Sequence, residues 1–76
     1  MKSISITMNK AESVKNFVEI VNKYPYDVDL RSGRYVVNAK SELGVFSLDF
    51  SSNLVLEIYN DSCNDLISDL AKYIVN

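Results

Sequence analysis

The sequence predicts an α+β fold of two layers, an open-faced β-sandwich. Two observations predict it. Three segments alternate apolar and polar residues with a period of two, which is typical of strands with one buried face, and a fourth segment returns from a tight turn as a further strand. Three other segments carry apolar residues at helical spacing. Their order is β-α-β-β-α-β-α, and elements that are apolar on one side bury that side by forming two layers. The length suits one domain, so we expect residues 1–76 to form a single unit.

The first strand and the first helix have the clearest patterns. Residues 3–8 alternate serine or threonine with isoleucine or methionine, which predicts a half-buried strand. Asn9 is followed three residues later by Glu12, which fits a capping box with Asn9 as the N-cap of the helix. The helix should end before Pro25, because the residue before a proline is driven out of the helical region. Its apolar stripe consists of Val14, Phe17, Val18 and Val21.

The middle of the chain predicts a hairpin and a short helix. Residues 26–31 alternate as a second strand, Ser32-Gly33 suits a tight two-residue turn, and residues 34–39 return as a third strand. Within residues 40–48 we expect a short helix with Ser41 near its N-cap. Gly44 weakens that helix, because glycine loses more backbone freedom on folding than any other residue.

The last third of the chain predicts a strand and a helix. After a turn at residues 51–53, the two faces of the fourth strand carry Leu54, Leu56 and Ile58 on one side and Val55, Glu57 and Tyr59 on the other. Asp61 or Ser62 should cap the final helix. The apolar stripe of that helix consists of Cys63, Leu66, Ile67, Leu70 and Ile74.

Composition excludes several classes of chemistry. The 76 residues contain no histidine and one cysteine, so they cannot form a Ser-His-Asp triad, a Cys-His pair or a multi-cysteine zinc site. A net charge of −2 and a pI near 4.9 argue against a nucleic-acid partner. No apolar stretch approaches the roughly 20 residues of a membrane helix. We therefore expect a cytoplasmic protein that is not an enzyme and that carries no metal or cofactor.

Residues 40–48, Lys-Ser-Glu-Leu-Gly-Val-Phe-Ser-Leu, resemble the Lys-Ser-x-x-Gly-Val-x-Ser-Leu motif of HPr, the small phosphocarrier protein of the bacterial sugar phosphotransferase system. Lys23-Tyr24 and residues 27–30 resemble the family's second-strand region, at the right distance before this motif. Residues 54–75 match its last strand and helix in pattern and length. The resemblance covers nearly the whole chain, and it implies the HPr-like open-faced sandwich.

The chain departs from the family at the start of the first helix, where HPr proteins carry His-Ala-Arg-Pro. There the histidine accepts phosphate from enzyme I and the arginine helps to bind it. The resemblance places Lys10 at the histidine position and Glu12 at the arginine position. A lysine ammonium is a poor nucleophile at neutral pH, and a carboxylate in the first helical turn repels phosphate. We therefore predict no catalytic residue and no phosphohistidine transfer.

The resemblance also implies two roles for the short helix. Ser41 matches the serine that an ATP-dependent kinase phosphorylates in HPr of Gram-positive type. Helix capping by itself also accounts for a serine here, and the negative charge of Glu42 disfavours phosphorylation. Leu43 and Phe46 match an outward apolar pair that partners of HPr grip, which predicts a partner-binding surface. Val45 and Leu48 should face the core.

Two functions remain open. In the first, the chain is a phosphotransferase-system component without the active-site histidine, and it binds phosphotransferase-system enzymes, the HPr kinase or a carbon-source regulator through Ser41 and the neighbouring apolar pair. In the second, the fold is reused as a structural or small-ligand-binding module unrelated to sugar uptake. Its site would be the open sheet face around Tyr35, Val37 and Tyr59. The sequence leaves the oligomeric state open.

Other reactive side chains are explained by structure alone. Cys63 continues the apolar stripe of the last helix, which predicts a buried, inert thiol. Asp61, Asp65 and Asp69 recur every four residues, which predicts an exposed face of the last helix.

Overall fold

The fold is built on one antiparallel sheet of four strands in the order β1-β4-β2-β3. The computed structural model describes residues 1–75. The chain forms β1 (Lys2–Ile6), α1 (Ala11–Asn22), β2 (Val28–Ser32), β3 (Tyr35–Asn38), α2 (Glu42–Phe46), β4 (Leu54–Ile58) and α3 (Asn64–Asp69), followed by a 3₁₀ helix (Ala71–Tyr73). The predicted α+β class and the predicted element order are confirmed. None of the helices within residues 1–75 has the length and apolar character to cross a membrane.

The core lies between the helices and one face of the sheet. The whole predicted stripe of α1 is buried, and α1 ends at Asn22, before Pro25, as predicted. Phe17 is fully buried and meets the ring of Tyr73 edge-on, with the two ring centroids 6.0 Å apart. The buried side chains that complete the core from the sheet and α3 include Leu30, Leu54, Leu56, Ile58, Leu66 and Leu70.

The register of β3 corrects the predicted open face. Leu30 of β2 is fully buried and lies opposite Val37 of β3. Because side chains alternate between the two faces of a strand, Val37 and Tyr35 lie on the helix side of the sheet, and Val36 lies on the open side. The prediction that Tyr35 and Val37 share the open face with Tyr59 is therefore wrong. Tyr35, Val36 and Val37 are consecutive apolar residues, so their sequence shows no alternation of apolar and polar residues. The register of the hairpin alone decides which face of the sheet each side chain occupies.

Helix α1 begins later than the capping box predicts. Its N-cap is Lys10, which is extended and makes no side-chain capping hydrogen bond. Met8 is buried, at 2% exposure, and this keeps the chain extended beyond β1, so Asn9 lies outside the helix. The spacing from Lys10 to Glu12 does not fit a capping box, and the predicted Asn9 cap is wrong.

The β2–β3 turn is Gly33-Arg34, one residue later than predicted. Ser32 belongs to the ladder, where it lies opposite Tyr35. Gly33 has a φ of +58°, and a left-handed glycine at the first loop position is typical of a two-residue hairpin. The predicted Ser32-Gly33 turn is wrong because serine extends the strand, whereas glycine accepts this φ without strain.

The C-terminal helical segment is shorter than predicted and has no side-chain cap. Cys63 is the N-cap residue of α3, and its side chain makes no capping hydrogen bond. The predicted caps, Asp61 and Ser62, are wrong: the Ser62 N–H donates to Asn60 Oδ1 at 2.8 Å, so these residues form a turn of their own. Beyond the 3₁₀ helix, Ile74 leaves the helical stripe and forms a β-bridge to β1.

The two edges of the sheet differ. C-terminal residues cover the outer edge of β1, where the Thr7 N–H donates to the Tyr73 carbonyl at 2.8 Å and the Val75 N–H donates to the Ser5 carbonyl at 2.9 Å. At the opposite edge, no strand formed by residues 1–75 pairs with the outer side of β3.

Candidate functional site

Helix α2 is fastened to the end of α1. Asn22 Nδ2 donates to the Lys40 carbonyl at 3.0 Å, and Lys40 Nζ donates to the Tyr24 carbonyl at 2.7 Å. The Ser41 hydroxyl accepts a hydrogen bond from the Gly44 N–H at 3.1 Å, which confirms Ser41 as the N-cap. A helix of five residues is not stable alone, so these bonds hold it in place.

Glycine at position 44 lets α2 approach β3 closely. A Cβ added at Gly44 would lie 3.2 Å from Ser41 Oγ and 3.4 Å from Val37 Cβ. Gly44 lowers the intrinsic helix propensity of α2, but it allows the capping serine, α2 and the sheet to pack closely together.

Only one member of the predicted Leu43–Phe46 pair points fully outward. Leu43 is 84% exposed. Phe46 is half-buried and packs edge-on against Phe50, with the ring centroids 5.9 Å apart. The predicted outward pair is therefore wrong for Phe46, because Phe50 covers its ring. Val45 and Leu48 are buried, as predicted.

The start of α1 lines a shallow groove of about 380 Å³. Lys10 and Glu12, which the resemblance places at the phosphate site, both line this groove, and Lys72 reaches it from the 3₁₀ helix. Lys72 Nζ lies 5.3 Å from the ring centroid of Tyr73. The expectation that Glu12 turns this region against phosphate is incomplete, because two lysines face one glutamate. Lys72 lies far from Lys10 in the sequence, and no local pattern indicates that they share a groove.

The candidate residues lie in two regions at opposite ends of α1. Lys10 and Glu12 lie at its beginning, whereas Ser41 and Leu43 lie on α2, which is bonded to its end through Asn22. A helix of 12 residues is roughly 18 Å long, which separates the two regions. The structure therefore brings Ser41, Leu43 and Phe46 together and leaves Lys10 and Glu12 apart from them.

The open face of the sheet carries a polar network. The Tyr59 hydroxyl donates to Asp29 at 2.9 Å, and this hydrogen bond raises the pKa of Tyr59 because the neutral phenol is the donor. Arg31 Nη1 lies 3.4 Å from Glu57 Oε2 in an ion pair, and Glu57 is only 8% exposed. Of the three residues predicted to form a ligand site here, only Tyr59 lies on this face, and its hydroxyl is bonded to Asp29.

Two tyrosines of the α1–β2 loop bind the aspartates of α3. The Tyr24 hydroxyl donates a hydrogen bond to the Asp69 carboxylate, and the Tyr26 hydroxyl donates one to the Asp65 carboxylate at 2.9 Å. The two rings stack with centroids 6.0 Å apart. The hydrogen bond to Asp69 raises the pKa of Tyr24 to about 12. Asp65 and Asp69 are exposed, as predicted, and their carboxylates also tie the loop to α3.

The thiol of Cys63 is fully buried, as predicted. Within residues 1–75, no cluster of three or more histidine, cysteine, aspartate or glutamate side chains is arranged to hold a metal ion.

Comparison with solved structures identifies the fold. The crystal structure of HPr-C-His from Thermoanaerobacter tengcongensis matches with a TM-score of 0.81 and 25% identity, over 95% of this chain and 89% of that one. A phosphocarrier protein HPr from Bacillus anthracis matches with a TM-score of 0.76 and 24% identity, over 97% and 94% of the two chains. The fold is that of HPr. The prediction made from residues 40–48 is confirmed at the level of the fold.

A third similar structure is the catabolite repression protein Crh of Bacillus subtilis, whose crystal structure is an intertwined, domain-swapped dimer. It is 28% identical, with a TM-score of 0.68, over 90% of this chain and 80% of that one. No protein-family model and no curated protein matches the chain. These neighbours support a relation to the phosphocarrier proteins, while the roles of Lys10, Glu12, Ser41, Leu43 and Phe46 stay predictions.

Proposed function

We propose that this protein is an HPr-like component of the phosphotransferase system or of carbon-source regulation that acts by binding and not by phosphoryl transfer. The 76 residues contain no histidine, and Lys10 stands where the resemblance places the phosphate acceptor. A phosphate carrier needs a side chain that accepts and releases phosphate at neutral pH, and a protonated amine does neither efficiently. The fold shared with HPr and Crh supports the proposed partners, which are cytoplasmic proteins of sugar uptake and its control.

The observation that carries the proposal is the exposure of Leu43. Its side chain is 84% exposed. The helix that carries it is held against the end of α1 by hydrogen bonds. A large apolar side chain on a rigid element offers a partner contact area at little entropic cost. We propose Leu43 as the centre of a partner-binding surface, the α2 surface, with Ser41 and Phe46 at its margin.

We propose Ser41 as a phosphorylation site that regulates the α2 surface. Ser41 precedes Leu43 by two residues in the sequence. Its hydroxyl accepts a hydrogen bond from the Gly44 N–H at 3.1 Å. Phosphorylation would put a charge near −2 at the start of α2, between Lys40, which attracts it, and Glu42, which repels it. A partner that contacts Leu43 would meet this charge directly.

Intact-mass spectrometry after incubation with ATP and an HPr kinase of Gram-positive type tests both residues. We expect one added phosphate on the wild type and none on Ser41→Asn, which keeps a capping side chain but loses the hydroxyl. Leu43→Asp keeps Ser41 but damages the docking surface, so we expect roughly tenfold slower phosphorylation. Ser68→Asp adds the same charge at an exposed position of α3 and should react like the wild type.

Two results would contradict the proposal. If no phosphate is added under conditions that modify an authentic HPr, Ser41 is a helix cap only. If Leu43→Asp reacts as fast as Ser68→Asp, the kinase does not use the α2 surface. The alternative, a structural or small-ligand-binding module that uses the open sheet face, loses two of its three predicted site residues, because Tyr35 and Val37 lie on the other side of the sheet.

A further inference from the structure

The outer edge of β3 presents unpaired backbone groups. The Ala39 N–H donates to the Val28 carbonyl at 2.9 Å, so these residues form a hydrogen-bonded pair. Such pairs alternate with non-bonded pairs in an antiparallel ladder, so the backbone groups of Val36 and Asn38 point away from β2. The Asn38 carbonyl accepts a hydrogen bond from the Ser41 N–H at 3.0 Å. The outward N–H and carbonyl of Val36 make no hydrogen bond to the backbone of residues 1–75.

This edge also lacks the usual protection against strand addition. Natural edge strands are blocked by charges, prolines, bulges or covering segments, and C-terminal residues cover β1 in this way. Strand β3 contains no charged residue and no proline. Its Tyr35 and Val36 are 69% and 51% exposed, on opposite faces of the sheet.

A groove of about 490 Å³ lies beside the same edge, between the β2–β3 hairpin and the end of α2. Val37 and Leu48 contribute apolar lining, and Arg34 and Asp49 contribute the charges. The Asp49 carboxylate accepts a hydrogen bond from the Ser51 hydroxyl at 2.7 Å. Arg34 forms no ion pair with an acidic side chain of residues 1–75. The groove therefore offers an apolar slot and one charge of each sign, of which Asp49 already has a hydrogen-bond donor and Arg34 has no ion-pair partner within residues 1–75.

We propose that the β3 edge and this groove bind an extended, acidic segment of a partner protein, which adds to the sheet antiparallel to β3. The partner residue opposite Val36 exchanges two backbone hydrogen bonds with Val36. The residues before and after it in the partner segment place apolar side chains over the groove. The partner residue opposite Arg34 is a carboxylate.

Charge selects this occupant over a second copy of the chain. An antiparallel second β3 would bring residues 35–38, which contain no acid to pair with Arg34. This edge is separate from the α2 surface, and the inference does not depend on the proposed function.

The probe is the acetylated and amidated peptide Ser-Val-Thr-Val-Glu-Ser, titrated to millimolar concentration into ¹⁵N-labelled protein. We expect saturable shifts of the Val36 and Asn38 amide resonances. The same peptide with lysine in place of glutamate should bind roughly fivefold more weakly. Methylation of the threonine nitrogen should abolish binding, because it removes a strand hydrogen bond.

Matched variants test the two parts of the site. Val36→Pro removes the outward N–H and is tolerated on an edge strand, so we expect at least tenfold weaker binding, whereas Val36→Thr should bind like the wild type. Arg34→Glu should reverse the preference, so that the lysine peptide binds better. This reversal remains a test if Val36→Pro fails to fold.

Three results would overturn the inference: no shift of the Val36 and Asn38 amides, equal binding of the methylated peptide, or no reversal in Arg34→Glu. Self-association that depends on protein concentration and is lost in Val36→Pro would place a second copy on this edge, which also overturns the proposed occupant.

Discussion

At the scale of single residues, hydrogen bonds between tyrosine and aspartate hold distant parts of the surface together. The hydroxyls of three of the five tyrosines, Tyr24, Tyr26 and Tyr59, donate hydrogen bonds to aspartate carboxylates. A carboxylate that accepts from a phenol favours the protonated phenol and so raises the pKa of the tyrosine. The effect is largest at Tyr24, whose bond to Asp69 links the α1–β2 loop to α3. The partners are far apart in the sequence, and no local pattern pairs them.

We expect alkaline pH to destabilise the fold partly through Tyr24. In the unfolded chain the pKa of this tyrosine is its ordinary value of 10, whereas in the folded protein it is about 12. The folded state therefore binds more protons between these values, so this contribution to stability is fully present below pH 10 and is lost as the pH rises through 12. Urea denaturation at a series of pH values should show a smaller alkaline loss for Tyr24→Phe than for the wild type.

The control for Tyr24 is Tyr35→Phe, because Tyr35 is 69% exposed and its hydroxyl makes no hydrogen bond to residues 1–75. This variant should follow the wild-type curve. An alkaline loss that is the same in Tyr24→Phe and in the wild type would contradict the role of the Asp69 bond.

Gly33 is the second feature at this scale. Its φ is +58°, and a Cβ added there would meet no atom within 4 Å, so any penalty for Gly33→Ala comes from the backbone alone. We expect that variant to lose about 1 kcal/mol of unfolding free energy, because a left-handed conformation disfavours a Cβ. Gly33→Asn should lose less, since asparagine tolerates this region better. Urea denaturation measures both, and an unchanged Gly33→Ala would show that the hairpin relaxes to another turn.

At the scale of elements, α2 owes its position to its neighbours. It has five residues, and its N-cap, Ser41, is the part that local sequence rules predict correctly. Its fastening to α1 through Asn22 and Lys40 joins residues from different elements, which no periodicity reveals. The same limitation applies to Phe46, which is placed outward by helical spacing but is covered by Phe50 in the folded chain.

We expect the Ser41 cap to contribute about 1 kcal/mol to stability, the usual loss when such a serine is replaced by alanine. Ser41→Ala leaves the Gly44 N–H without its side-chain acceptor, whereas Ser41→Asn supplies a new one. Thermal and urea unfolding should therefore rank the wild type and Ser41→Asn above Ser41→Ala. A stable Ser41→Ala would mean that water satisfies the Gly44 N–H equally well.

At the scale of the whole molecule, periodicity predicts the architecture because burial of one face is a property of the entire chain. The stripe of α1 and the alternation of β4 define the two layers without knowledge of any contact. Boundaries depend on local competition that the sequence does not display. Asn9 loses the cap position because Met8 stays in the core, and Ser32 joins the ladder because Gly33 takes the turn.

The candidate site follows the same division. Its sequence-local parts, the capping Ser41 and the exposed Leu43, were predictable from the motif and from helical spacing. The groove at the start of α1 was not, because Lys72 arrives from the other end of the chain. The length of α1 separates that groove from the α2 surface, so the proposed loss of a phosphate acceptor in one region leaves the proposed binding surface in the other unchanged.

The central claim is that α2 binds a partner through Leu43, and isothermal titration calorimetry with purified HPr kinase tests it most directly. We predict that the wild type and Ser68→Asp bind with the same Kd, whereas Leu43→Asp, at unchanged folding stability, binds at least roughly tenfold more weakly. Equal Kd values for all three proteins, or no binding of the wild type under conditions in which an authentic HPr binds, would contradict the claim.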